Sequence, residues 1–212
     1  MTDVIGFNEG KDLILNAALR AGVGVSTVYF LLSNKAVITA NLTAGVVLPA
    51  GTITVDDTSA FPSSGSFVIG AQVVSYTGKT SNTFTGCTGG TGTFGIGQLV
   101  MGSTGFQPTD LLTNGMSEIT AWTGSTPYAR ASQLVPATSN GIISFAQLTW
   151  NVSDATDGPS SVKSVVMVTT ANNTGKAIYA WNLVPGGAGS NFVQNTQLQF
   201  TPTFFLQNVG GS

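Results

Sequence analysis

The sequence contains no histidine and a single cysteine, and charged residues make up only 8% of its 212 positions, against roughly 25% in an ordinary soluble protein. Without histidine, a Ser-His-Asp or Cys-His catalytic arrangement and a histidine-ligated metal site are both excluded. The lone Cys87 excludes an internal disulfide and a cysteine-based zinc site. With no histidine to activate it, we expect Cys87 to be a small buried residue.

Positive charge is also scarce. Seven Lys and Arg residues are spread along the chain without a cluster, and the net charge is −2, so a nucleic-acid partner is not expected. Hydrophobic residues still make up 42% of the chain and include 12 Phe, which indicates a folded protein rather than a disordered one. The missing charge is explained either by a surface of hydroxyl and amide side chains or by a surface covered by neighbouring subunits.

Four stretches lack charged residues altogether: 36–55, 80–109, 131–153 and 177–212. Gly, Asn, Thr and Pro interrupt each of them, whereas a membrane-spanning helix needs about 20 mostly apolar residues. These stretches are therefore predicted to form strands and turns, with no membrane partner. The opening MTDVIGFNEGKD has no basic region followed by an apolar core, so we expect synthesis in the cytoplasm without a signal peptide.

One short helix is predicted near the N-terminus, at residues 8–20. Asn8 is a suitable N-cap, Glu9 and Asp12 fall in the first turn, and Gly22 follows as a stop. From residue 25 onward the pattern changes to β-branched and aromatic residues bounded by turn residues, which is typical of strands.

The predicted strands fall into two groups that differ in length and composition, and this difference indicates two structural units. Strands are predicted in the first unit at 25–32, 141–150, 164–170, 177–183, 197–201 and 203–209. Shorter strands, rich in Gly and Thr, are predicted at 52–55, 66–69, 72–76, 83–85 and 98–101. The fold class is therefore mainly β: an antiparallel β-sandwich or barrel with a short N-terminal helix and an inserted small β module. The module is predicted at 45–103 and the main domain at 1–44 and 104–212.

Few residues are candidates for chemistry. Asp56 and Asp57 are adjacent, and neighbouring strand residues point to opposite faces, so a turn feature is favoured over catalysis. Asp154 and Asp157 lie in a predicted loop, where solvated turn residues are commoner than a calcium site. The glycine-rich stretch 88–95 lacks the ending of a phosphate loop, and we expect its glycines to serve tight turns or close subunit approach.

The aromatic residues allow two interpretations, a sugar-stacking platform or a hydrophobic core. The residues concerned are Trp122, Tyr128, Trp150, Tyr179 and Trp181. Because alternate aromatics on strands usually fill a core, the core is favoured. No catalytic, cofactor-binding or metal-binding residue is assigned, and neither a cofactor nor an enzymatic activity is predicted.

Two segments of the chain resemble phage proteins described as tail-fibre-like or virion structural proteins. The first runs from Asn8-Glu9 through Asn16-Ala17-Ala18-Leu19 into Val28-Tyr-Phe-Leu-Leu-Ser33. The second is Thr126-Pro-Tyr-Ala-Arg130, followed by Ser139-Asn-Gly-Ile-Ile-Ser144 and Leu148-Thr-Trp150. The sequence around Thr54–Pro62, 70–78 and 82–90 resembles a small β module of phage structural proteins.

The resemblance implies a non-enzymatic structural protein on the surface of a tailed-phage particle, made in the host cytoplasm. A fibre shaft needs repeats or a coiled coil to gain length, and the sequence has neither, so a capsid decoration (cement) protein is favoured. One alternative is a tail-fibre or fibre-base adaptor protein, and another is a receptor-binding role in which the inserted module or the aromatic residues contact host glycans. The implied partners are the major capsid protein or other virion proteins and further copies of this chain.

Overall fold

A computed structural model describes residues 4–19, 25–119, 128–136, 142–151, 162–184 and 197–205. Strands account for 45% and helices for 8%, and the sheets are antiparallel. This confirms the predicted class, a mainly β fold with one short helix. The described strands form open sheets, as in a sandwich.

The elements follow in chain order. The first part contains β1 (Val4–Gly6), α1 (Asn8–Leu19), β2 (Thr27–Ser33), β3 (Thr39–Asn41), β4 (Val46–Leu48), β5 (Thr52–Thr54), β6 (Gly65–Ile69), β7 (Gln72–Tyr76), β8 (Gly78–Lys79), β9 (Thr83–Thr85), β10 (Gly92–Phe94) and β11 (Leu99–Gly102). A 3-10 helix (Leu112–Ser117) leads to β12 (Ala131–Leu134), β13 (Ile142–Ser144), β14 (Leu148–Asn151), β15 (Ser164–Val168), β16 (Ala177–Asn182), β17 (Gln197–Phe200) and β18 (Thr203–Phe205).

The main sheet has five strands in the order β1-β16-β15-β2-β12. Its central strand β15 is buried at all five positions. Val165 and Met167 face one core cluster, which contains Phe30, while Val166 and Val168 face a second cluster on the other side of the sheet. A strand covered on both faces cannot alternate apolar with polar residues, which explains the continuous run Ser-Val-Val-Met-Val.

Helix α1 packs where the sheet is irregular. The register between β15 and β16 shifts at Met167/Val168, which leaves Ile178 as an extra residue. A Cβ on Gly10 would lie 2.6 Å from the Cα of Ile178, so only glycine permits this close approach. Among the described residues, no helix has the length and apolar character needed to cross a membrane.

The predicted N-cap of α1 is wrong by one residue. Asn8 is exposed and lies inside the helix, and the Lys11 N–H donates to the Phe7 carbonyl at 3.1 Å as the first helical bond. The Phe7 side chain is fully buried, which fixes the helix start more firmly than an exposed amide would. Glu9 belongs to the first turn as predicted, while the predicted stop at Gly22 lies outside the described residues.

The segment 39–102 forms sheets of its own: β3-β11-β6-β7, β5-β9-β8 and the pair β10-β4. Between the first two lies an aromatic cluster, in which the rings of Phe67 and Tyr76 each lie 4.7 Å from that of Phe84. This cluster forms a core separate from those of the main sheet. The sheet begins before the predicted module boundary at residue 45, because β3 pairs with β11 and Ala40 is buried in the same core.

The strand predicted at 141–150 is two strands. β13 pairs with β18, and β14 pairs with β17. Phe145 separates them: its N–H donates to the Pro202 carbonyl at 3.1 Å, and its ring lies 5.3 Å from that of Phe30. The burial of this ring turns the backbone out of strand geometry.

Three buried polar side chains lie side by side on neighbouring strands of the main sheet. Ser164 pairs in register with both Ser33 and Asn182, and we name these three residues the polar row. Asn182 accepts from the Val37 N–H at 2.8 Å and donates to the Val37 carbonyl at 2.7 Å. Ser164 Oγ donates to the Lys35 carbonyl at 2.7 Å. The polar row thus holds the segment that leads from the main sheet to β3.

Replacing residues 39–101 with a short Gly/Ser linker should leave a remainder that still unfolds cooperatively. The Gly102 N–H donates to the Ile38 carbonyl at 2.9 Å, so a short linker can join the two ends. The core cluster that contains Trp150 and Trp181 includes no residue from the excised segment.

Near-ultraviolet circular dichroism of the tryptophans, followed through urea unfolding, measures this, with the full-length chain as control. A broad, non-cooperative transition in the shortened chain would show instead that residues 39–101 are part of one indivisible core.

Candidate functional site

One cavity, of about 440 Å³, lies between the start of β12 and the hairpin that joins β15 to β16. We name it the arginine pocket, and its polar lining consists of Glu118, Tyr128, Arg130, Asn172 and Asn173. Two of these residues, Tyr128 and Arg130, belong to the Thr126–Arg130 segment that carries the phage resemblance. The pocket is therefore the first place to look for function.

Every donor of the Arg130 guanidinium is already used inside the protein. Nε donates to Glu118 Oε1 at 2.8 Å, and Nη2 donates to Glu118 Oε2 and to Asn173 Oδ1. Nη1 donates to the carbonyls of Thr170 at 3.1 Å and Asn172 at 2.6 Å. Because arginine has five N–H donors and no acceptor, none is left for a ligand. Arg130 here acts as a structural clamp.

Tyr128 completes the same network. Its hydroxyl donates to Glu118 Oε1 at 2.9 Å and accepts from the Leu32 N–H at 3.0 Å. Burial raises the pKa of Tyr128 well above its usual value, and the neighbouring Glu118 carboxylate raises it further. Tyr128 therefore stays a neutral phenol at ordinary pH and is poorly suited to proton transfer. The network ties β2, β12 and the β15–β16 hairpin together.

The Asp57 carboxylate caps a turn, in line with the turn favoured from the sequence, while the Asp56 carboxylate binds Asn41 of β3. Asp56 Oδ1 accepts from the Asn41 N–H at 2.8 Å, and Asp57 Oδ1 accepts from the Ser59 N–H at 2.8 Å. Burial raises the pKa of Asp56, but hydrogen bonds from Asn41 and the backbone outweigh it and leave the pKa below 3.8. The hydroxyl and the amide of Ser59 likewise lower the pKa of Asp57.

Lys79 is bound at the same corner of the structure. Its ammonium group donates to the carbonyls of Thr58 at 2.6 Å and Phe61 at 2.5 Å. Asp56, Asp57 and Lys79 are the only charged residues between positions 36 and 109. The rest of this segment therefore presents an uncharged surface.

The aromatic residues belong to the core wherever the structure describes them. Trp150 and Trp181 are buried, and Tyr128 and Tyr179 pack against the same cluster. Trp122 lies outside the described residues. The four described aromatics thus support the core interpretation and leave no stacking platform among them.

Three further candidates from the sequence are Cys87, the pair Asp154 and Asp157, and the glycine-rich stretch 88–95. Cys87 is buried, as expected, and burial raises the pKa of its thiol. Asp154 and Asp157 lie outside the described residues, and within the described ranges no three His, Cys, Asp or Glu side chains converge on a metal position. Gly90 has a φ of +70°, and a Cβ there would lie 2.7 Å from the Leu48 side chain, so this position of the glycine-rich stretch favours glycine for its backbone conformation and its close packing.

A second cavity, of about 360 Å³, opens where the segment 39–102 joins the main sheet, and we name it the seam pocket. It is lined by Asn34, Lys35, Ile38, Thr104, Ser117 and Lys163. The Lys35 ammonium group is paired with Asp110 at 2.7 Å. Sequence reasoning missed this pocket, because Lys35 and Lys163 are far apart in the chain and share no motif.

Comparisons of this chain with protein-family models, with curated proteins and with solved structures find no match.

Replacing Arg130 with Met should destabilise the protein by about 3–5 kcal/mol, because the buried Glu118 carboxylate loses its counter-charge. The two side chains are only 6% and 8% exposed, so solvent does little to screen them. Lys176→Met, at an exposed position, is the matched control and should stay within about 0.5 kcal/mol of the parent.

Urea unfolding at pH 7 gives the comparison. If Arg130→Met and Lys176→Met unfold at the same urea concentration, the arginine clamp contributes nothing and the account of this pocket fails.

Proposed function

We propose that this chain is a non-enzymatic structural protein of a tailed-phage particle, a capsid decoration protein bound at the particle surface in many copies. The observation that carries the proposal is the outer surface of the segment 39–102, whose only charged residues are Asp56, Asp57 and Lys79. Interface cores between proteins are depleted of charge in the same way. The resemblance of the Thr126–Arg130 segment to phage structural proteins gives the class of particle.

The exposed apolar residues of this segment add to the argument. Val47, Val73 and Ile96 are 66%, 57% and 75% exposed. On the four-stranded sheet, Val73 pairs with Val68, and Val68 pairs with Met101. Residues paired in this way lie on the same face of a sheet, so Val73, Val68 and Met101 form one row. The inner end of this row packs against the main sheet through Met101, and its outer end is open at Val73. Val73 is therefore an exposed apolar side chain at the edge of a packed apolar row, where a partner could extend the contact.

The internal use of charge supports a structural role as well. Arg130, Glu118 and Lys79 bind protein atoms in the structure. A decoration protein needs no reactive group; it needs a contact of about 800 Å² on each partner. The uncharged part of the surface of segment 39–102 would supply the core of that contact.

Quantitative gel densitometry of purified particles tests the proposal. Because decoration repeats over the whole shell, this chain should be present in amounts comparable to the major capsid protein. A content lower by more than an order of magnitude would contradict decoration and favour the tail-fibre or fibre-base adaptor. Absence from purified particles would overturn every form of the proposal. Binding of the isolated protein to host cells, with blocked infection, would favour a glycan-binding role instead.

A further inference from the structure

The seam pocket differs from the arginine pocket in what its side chains are bound to. Asn34, Thr104 and Ser117 are exposed and Lys163 is half-buried, and their side chains form no hydrogen bond or ion pair within the described part of the chain. Each of these groups carries a donor, and Lys163 carries a full positive charge. In the arginine pocket, by contrast, the guanidinium donors are all consumed.

One carbonyl at the pocket wall is already occupied. The Ser117 carbonyl accepts from the Asn34 N–H at 3.2 Å. The side chain of Ser117 lines the pocket. The pocket therefore presents side-chain donors beside a carbonyl that is already bonded, and a charged donor such as Lys163 suits an anionic group.

The backbone at this wall is strained. Met116 and Ser117 have φ angles of 49° and 51°, in the left-handed region that residues other than glycine rarely adopt. Ser33 Oγ holds the turn by donating to the Met116 carbonyl at 2.8 Å. Strain that the surrounding structure maintains is concentrated at ligand sites, so this turn is a second observation that points to binding.

The apolar floor and the charge define the ligand. Ile38 lines the pocket and is 8% exposed, so it can cover the methylene groups of a short side chain. Asp110 neutralises Lys35, which leaves the charge of Lys163 without a partner in the described structure. We propose that the seam pocket binds the carboxylate of an Asp or Glu side chain on a neighbouring subunit of the particle.

This inference rests on the proposed function, and it adds a fixed polar anchor to a largely uncharged contact. A single charge pair within such a contact sets the register between partners more than it adds affinity. The anchor lies at the seam, where a partner seated on segment 39–102 would also reach the main sheet.

The test uses the intact protein and sodium acetate as the probe, titrated at constant ionic strength and followed by amide chemical shifts. Shifts of Asn34, Thr104 and Ser117 should saturate in the parent and in Lys176→Gln. In Lys163→Gln, the apparent affinity should fall by at least about tenfold, the effect of losing one charge-assisted contact. Equal apparent affinities for acetate in Lys163→Gln and Lys176→Gln would overturn the proposal that the pocket binds a carboxylate. The absence of a saturating shift in the parent would overturn it as well.

A second measurement identifies the source of the carboxylate. Lys163→Glu should bind particles stripped of this protein at least about tenfold more weakly than Lys176→Glu, because like charges then meet. Unchanged binding of Lys163→Glu would overturn the assignment to a neighbouring subunit. If the parent itself does not bind the particles, the proposed function fails, and with it that assignment, while the acetate titration still decides whether the pocket takes a carboxylate.

Discussion

The hydrogen bonds between Asn182 and Val37 fix the relation between the two parts of the described chain. Asn182 is 1% exposed, and an amide buried so deeply is costly unless both its donor and its acceptor are satisfied. Val37 satisfies both at 2.7–2.8 Å. These bonds hold the segment before β3 against the main sheet at Val37. Ser33 and Ser164, the other members of the polar row, bind the same segment and remove its remaining freedom.

Several charged residues that the structure describes also connect separate elements through hydrogen bonds. Glu9 accepts from the N–H groups of Leu112 at 3.2 Å and Ala177 at 3.1 Å, and so connects the helix to two other elements. Glu118 and Arg130 join β12 to the β15–β16 hairpin. A chain with 8% charged residues uses these side chains as internal ties. The described surface carries few charged side chains, among them Lys176, and consists mostly of hydroxyl, amide and apolar groups, as the proposed particle component requires.

The sequence predicted those features that depend on neighbouring residues. The strand at Gln72–Tyr76 and the one at Thr83–Thr85 have the predicted bounds, since alternation and turn residues mark each end. The helix was placed correctly at Asn8, although its cap was not. The continuous apolar run at Ser164–Val168 is a strand, as the sequence predicts.

Features that depend on pairing could not be predicted in this way. β3 has only three residues, and it is a strand because β11 lies beside it. Likewise, the Glu118–Arg130 clamp follows from the turn that places Glu118 opposite β12. The seam pocket brings Lys163 next to Ser117 through the register of the main sheet. No local pattern encodes any of these contacts.

Asn182 holds the segment between β2 and β3 at Val37 through two hydrogen bonds. Hydrogen exchange of the Val37 amide in Asn182→Ala tests it most directly, with the amides of β6 and β7 as internal controls. The account predicts that Val37 exchanges at least about five times faster than in the parent, while the β6–β7 ladder is affected much less, because a bond worth roughly 1 kcal/mol or more has been lost locally. Unchanged protection of Val37 would contradict the account.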